Sequence, residues 1–290
     1  MIPLVSICIP TYNGASFLNE ALESVKNQAY NSIEVIVSDD ASMDNTLEIV
    51  KKFKDGADFP VTIISHKPNG IGANWNNTLK HANGEFIKFL FQDDVLNPNC
   101  IKEMVSIFKQ QPNLGLVGCK REFIVEGQPT PEIKDWLEKF NNLQVQFEKD
   151  EEITLIDKTL FARNDFIASP INKIGEPSTV MFKMELLNEV GLFNENLKQI
   201  LDYVFYYKIL KKHPIAIINK PLVKFRIHDN QATNINRNNP ITDYEIYNRI
   251  LYKEFLPLLH PSHKKKLVLK FSRTVRLKKK LKSVLRKFRS

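Results

Sequence analysis

Apolar and polar positions come in blocks along the first 120 residues, and the period changes from block to block. Residues 5–9, 33–37, 61–64, 86–91 and 114–119 are short apolar runs with many β-branched and aromatic side chains, the pattern of buried strands. Between them apolar residues recur at helical spacing: Phe17, Leu18, Ala21, Leu22 and Val25; Leu47, Val50 and Phe53; Trp75, Leu79 and Ala82; Ile101, Met104, Val105 and Phe108. Ser16, Asp44, and Asn97 followed by Pro98 stand where helix caps are expected. Repeated strand–helix units predict an α/β fold: a Rossmann-like, mainly parallel central sheet flanked by helices. Ligands of such sheets sit beyond the carboxyl ends of the strands. That rule singles out four polar segments, 10–14, 38–44, 67–74 and 92–97.

The pattern weakens over 120–170, where Pro129, Pro131 and mixed charges predict a long excursion with one or two helices. Beyond it the spacing predicts a strand over 178–182, a helix over 202–212 with Tyr203, Tyr206, Tyr207 and Leu210 on its inner side, short strands at 215–218 and 222–227, and a helix near 243–258.

Charge changes the picture at the carboxyl end. The net +8 is uneven: residues 261–290 carry thirteen Lys+Arg and no acid, while the rest has 28 bases against 33 acids. An acidic body argues against a nucleic-acid-binding domain, whose positive charge should lie on the folded part. In the tail, Leu267 and Phe271 are followed by Leu277, Leu281, Val284, Leu285 and Phe288, the last five on one helical face. Such a basic amphipathic helix, 263–290, suits a membrane surface. No run reaches the ~20 apolar residues that a spanning helix needs, and no signal peptide is expected. Cys8, Cys100 and Cys119 have no metal-ligand spacing and read as buried, reduced thiols.

The chemistry gathers at carboxylates. Asp39 and Asp40 follow a strand, where they can accept hydrogen bonds from a ribose hydroxyl or a base N–H, or simply organise a turn. Asp93 and Asp94 follow another; adjacent carboxylates repel, and burial is costly unless a cation compensates. A solvated turn is the other reading. His228, after the last strand, reads as a ligand or a packed residue.

Pro10-Thr11-Tyr12-Asn13, then Asp39-Asp40-Ala-Ser-x-Asp44, then Asn69-Gly70-x-x-x-Asn74, then Gly84-Glu85 through Gln92-Asp93-Asp94, occur in that order. Together they resemble the family 2 inverting glycosyltransferases of the GT-A fold, bacterial surface-polysaccharide type, over about residues 5–231. The resemblance implies a domain over 1–230, with a nucleotide-sugar half to about 120 and an acceptor half after it, then a linker and helix over 231–262 before the tail. It implies that Thr11 and Tyr12 line the nucleobase, that Asp40 hydrogen-bonds it, usually as uracil, that Gly70 and Asn74 lie on a loop approaching the nucleotide, and that Pro10, Asn13 and Gln92 also belong to the nucleotide-sugar site. Asp93 then lies near ribose and donor sugar, and Asp94 and His228 hold Mn²⁺ or Mg²⁺. Phe91 stands where the family's Asp-x-Asp motif has its first acid. In the acceptor half Glu176 and Arg226 are implied contacts, and Asp202 matches the catalytic base. The expected reaction moves a sugar from a UDP-type donor to a hydroxyl of a glycan or lipid-linked acceptor, in the cytoplasm, peripheral on the inner face of the membrane. Two alternatives stay open: a sugar nucleotidyltransferase, against which the first loop lacks a Gly-rich basic phosphate cradle, and a non-catalytic nucleotide-sugar-binding protein, favoured by Phe91.

Overall fold

The computed structural model describes residues 2–147, 151–229, 231 and 242–274. In chain order the elements are β1 (Val5–Thr11), α1 (Leu18–Lys26), β2 (Ile33–Asp39), α2 (Thr46–Asp55), β3 (Val61–Ser65), α3 (Ile71–His81), β4 (Phe86–Phe89), β5 (Val95–Leu96), α4 (Cys100–Gln110), β6 (Leu116–Val125), α5 (Pro131–Phe140), β7 (Ile153–Ile156), β8 (Val180–Lys183), α6 (Leu187–Val190), α7 (Leu201–Leu210), β9 (Ile215–Ile227), α8 (Asp243–Ile250) and α9 (Pro261–Phe271). Among the described residues the strands form one nine-stranded sheet in the order β3-β2-β1-β4-β8-β6-β9-β5, with β7 also on β9.

The sheet has two characters. β3, β2, β1 and β4 are parallel neighbours, as the strand–helix repeats predict. β8 runs antiparallel between β4 and β6, while β6 and β9 are parallel again. Both faces are covered. Val5, Ile7 and Ile9 of β1 pack in one core with Leu18, Leu22 and Val25 of α1. Cys8, between them in sequence, belongs to the other core with Trp75 and Leu79 of α3 and most of α7. That division is the two-residue period of a strand with a helix on each side. All three cysteines are free and buried, as expected.

Some boundaries differ from the expected ones for identifiable reasons. The two strands expected at 215–218 and 222–227 are one, β9, whose register against β6 shifts opposite Lys120. Pro221 lies there; it has no N–H for the ladder, and the irregularity absorbs it. Asn97 does not cap α4 directly: its Oδ1 accepts from Asn99 N–H, and the helix begins at Cys100. Asp44 accepts from Thr46 N–H at the start of α2 and also from Ala15 N–H, so it ties two loops together. Of the tail, α9 is described to Phe271; Leu277, Leu281, Val284, Leu285 and Phe288 lie outside the described residues.

Candidate active site

The carboxyl ends of β1 and β2 carry two loops laced together. Asp39, fully buried, accepts from Thr11 Oγ1 at 2.9 Å, from Ser42 Oγ at 2.6 Å and from Ser42 N–H at 2.9 Å. Asn13 N–H donates to Ser42 Oγ and Met43 N–H to Asn13 Oδ1, at 2.8 and 2.9 Å. Asn13 and Ala41 hold positive φ, +46° and +59°. Non-glycine residues keep such conformations only where the surroundings over-determine them, commonly at functional sites. The net holds Tyr12 outward, 55% exposed.

Gln92 fastens Tyr12 to the Asp93–Asp94 turn. Its Oε1 accepts from Tyr12 N–H at 2.9 Å and its Nε2 donates to Tyr12 O at 3.1 Å. A Cβ on Gly14 would lie 2.3 Å from Gln92 Oε1, so glycine is needed for the clasp. Asn74, in the first turn of α3, donates to Thr11 O at 3.2 Å, and its buried Oδ1 has no partner. Gly70 precedes that helix at φ +89°, a conformation suited to glycine. Asp40 faces a residue without a sequence signal of its own: His66 Nδ1 lies 2.6 Å from Asp40 Oδ1.

At the next strand end the two acids part. Asp93 Oδ2 lies 3.0 Å from His228 Nε2, and both side chains are partly exposed. Asp94 is 1% exposed; its Oδ1 accepts from Arg226 N–H at 3.1 Å and its Oδ2 has no hydrogen-bond partner. Burial, then the Asp93 charge, push the Asp94 carboxyl well above the usual range. Arg226, 4% exposed, donates through Nε to Asp93 O at 2.9 Å and through Nη1 and Nη2 to Glu126 and Glu20. Phe17 packs against both Arg226 and His228, 4.7 Å from the guanidinium carbon and 4.8 Å from the imidazole centroid. Three guanidinium nitrogens of the expected acceptor residue are thus engaged within the protein.

These groups suit a divalent cation. Ligands at right angles on an octahedral Mg²⁺ lie about 3 Å apart, the separation of Asp93 Oδ2 and His228 Nε2. Among the described residues no cluster of three or more His, Cys, Asp or Glu could hold a metal by itself. A Mg²⁺-type ion is commonly held by one or two side chains and completed by substrate phosphates.

On the far side, Asp202 opens α7. It is buried, its Oδ2 accepts from Asn172 Nδ2 at 3.3 Å, and its Oδ1 has no partner. Burial raises its pKa to about 7; the Tyr203 N–H opposes this and the Glu176 charge adds to it. Glu176 is held by Arg121 at 3.1 Å through Oε1, and its Oε2 is unpartnered. Its charge adds to the upward shift of both Asp94 and Asp202. Asp243 carries no motif or spacing in the sequence that would mark it. Fully buried, its Oδ2 accepts from the N–H groups of Lys198, Gln199 and Ile200 at 3.0, 2.8 and 3.2 Å, just ahead of α7.

Comparison with known proteins identifies the family and the fold. The family model described as glycosyl transferase family 2 matches residues 6–170. An uncharacterized glycosyltransferase of Rickettsia typhi is 30% identical over 244 residues, 84% of this chain and 70% of that one. Chondroitin synthase of Escherichia coli is 28% identical over 221 residues, 76% of this chain and 28% of that one. Staphylococcus aureus TarS 1–349, solved in complex with UDP-GlcNAc, superposes with a TM-score of 0.66 at 23% identity, over 93% of this chain and 74% of that one. The mannosyltransferase PcManGT of Pyrobaculum calidifontis, solved with GDP-Man and Mn²⁺, gives 0.58 at 21%, over 94% and 71%. At those identities the structural likeness shows the fold.

Proposed function

The chain belongs to glycosyl transferase family 2 and is a glycosyltransferase; from that premise we propose that it transfers a sugar with inversion, from a UDP-sugar to a hydroxyl of a glycan or lipid-linked acceptor, with a divalent metal. The observation that carries this reading is the Asp93–His228 pair, 3.0 Å apart at the strand end beyond β4, in a chain whose second half holds a buried carboxylate, Asp202, at the start of α7. Neighbours of this fold have been solved with UDP-GlcNAc and with GDP-Man and Mn²⁺, which supports a nucleotide-sugar donor.

In this reading Tyr12 stacks on the base, Pro10, Thr11 and Asn13 shape its pocket, and Asp40 accepts from it. Gly70, Asn74 and Gln92 line the approach to the nucleotide. Asp93 and His228 would hold the metal, a departure from the expected Asp94–His228 pair that the burial of Asp94 motivates, and Arg226, engaged with Asp93 O, Glu126 and Glu20, fixes the geometry of that turn. A bound divalent cation stabilises the charge on the departing diphosphate. Asp202 takes the proton of the acceptor hydroxyl as its oxygen attacks the anomeric carbon, and the bond from that carbon to the diphosphate breaks on the opposite face. Since the leaving group needs no protonated acid, one base suffices. Glu176 borders the acceptor side. The basic segment 263–290 holds the enzyme against an anionic membrane surface, where its acceptor is presented.

Calorimetric titration with UDP tests the donor half. Affinity should rise with Mn²⁺, and Asp93→Ala or His228→Ala should remove about tenfold or more of that gain. Equal UDP affinity with and without Mn²⁺ would contradict the metal assignment.

A further inference from the structure

The His66–Asp40 pair has no part in the chemistry, yet it occupies the end of β3 where the base is read. His66 is fixed first by its backbone: His66 N–H donates to Asp39 O at 2.7 Å, one rung beyond the Asp39–Ser65 pairing of β2 and β3. Asp40 is fixed likewise, its N–H donating to Thr11 O at 2.9 Å. With both backbones set, the side chains meet at 2.6 Å, with 20% and 13% of their surfaces exposed. A carboxylate only accepts, so Nδ1 of His66 carries the hydrogen. Oδ2 of Asp40 has no hydrogen bond among the described residues. The short bond therefore commits one carboxylate oxygen to the protein and leaves the other for a ligand.

We propose that His66 is a positioning residue for nucleobase selection: it holds Asp40 so that the free oxygen faces a base bearing a ring N–H. The inference rests on the reading of Asp40 as the base-recognising residue. A carboxylate oxygen held there favours uracil, whose N3–H donates, over cytosine, whose N3 only accepts. Without His66 the Asp40 carboxylate can turn about its side-chain torsions, and the preference decays. Specificity of this kind comes as much from the mismatch imposed on the wrong base as from the bond to the right one.

The test compares UDP and CDP affinity, with Mn²⁺, in the full-length protein. His66→Ala should reduce the UDP-over-CDP preference about tenfold, roughly the value of one hydrogen bond to a charged group. Donor KM should rise with kcat at saturating donor unchanged. His66→Asn, whose amide nitrogen can reach the Nδ1 position, should restore most of the preference. Should His66→Ala fail to fold, His66→Leu, nearer in volume and unable to donate, carries the same expectation. If Asp40→Asn loses the preference while the His66 variants keep it, the proposal is overturned and the base-reading role of Asp40 stands. If Asp40→Asn also keeps the preference, that underlying reading fails as well. An equal loss of UDP and CDP affinity in His66→Ala would mark the histidine as merely structural, and would overturn the proposal too.

Discussion

At the scale of residues, the role proposed for Asp202 comes with a cost to the fold. As a base it works only when ionised, so activity should rise with pH through about 7, the value to which burial lifts it. The stability consequence has the opposite sense. Below about pH 3 the carboxyl is protonated in both states. Above that the unfolded chain releases the proton before the folded one does, so stability falls as pH rises towards 7 and then levels. A carboxyl moved that far costs the folded state up to about 4 kcal/mol above pH 7. Asp202→Asn should therefore melt a few degrees higher than wild type at pH 8 and at nearly the same temperature at pH 3, in scanning calorimetry, while losing transfer. A lower melting temperature at pH 8 would refute this account of its burial. The sequence shows Asp39, Asp40, Asp93 and Asp94 as pairs, and only the family resemblance divides them; their hydrogen-bond partners are not written in the local pattern. What separates Asp39, tied to Thr11 and Ser42, from Asp40, tied to His66, is which loop lies over each. Neighbours thirty residues away in the chain leave no local pattern.

At the scale of elements, α7 is buried nearly throughout and depends on a cap from elsewhere. Asp243, at the start of α8, serves the three N–H groups ahead of α7, and Tyr247 packs edge-on against Tyr203 at 5.7 Å. Asp243→Ala should cost about 1–3 kcal/mol in urea unfolding, because it leaves buried donors unpaired. It should also lower turnover by misplacing Asp202; a variant with unaltered unfolding would show that the cap carries no energy. Gly14→Ala drives a methyl into the Gln92 clasp, so UDP affinity should drop severalfold with only a small change in melting temperature. An unchanged UDP affinity would show that the clasp does not shape the nucleotide site. Elements with strong periodicity, such as α1, α2 and β1, were legible from the chain because burial on one face is written in their spacing. β7 was not: Ile153-Thr-Leu-Ile is four residues long and is a strand only because β9 offers its edge.

At the scale of the molecule, a parallel half carries the loops proposed to bind the nucleotide and a mixed half carries the proposed base, and the order of motifs made the first far more legible than the second. The acceptor half depends on Asn172, Glu176 and Asp243 meeting Asp202 or its helix from distant stretches. No helix among the described residues is long and apolar enough to cross a membrane. His263 and Leu267 are buried in α9, so a cut meant to test membrane binding belongs after Thr274. Removing 275–290, with eight Lys+Arg, should abolish sedimentation with anionic vesicles and leave UDP binding intact; retained sedimentation would place the contact elsewhere. The central claim is inverting transfer with Asp202 as base, and water can stand in as acceptor to test it. Proton NMR of the hydrolysis of an α-linked UDP-sugar in Mn²⁺ should show the β anomer of the free sugar first, with release at least about 100-fold slower in Asp202→Asn. First appearance of the α anomer, or equal release by Asp202→Asn, would contradict it.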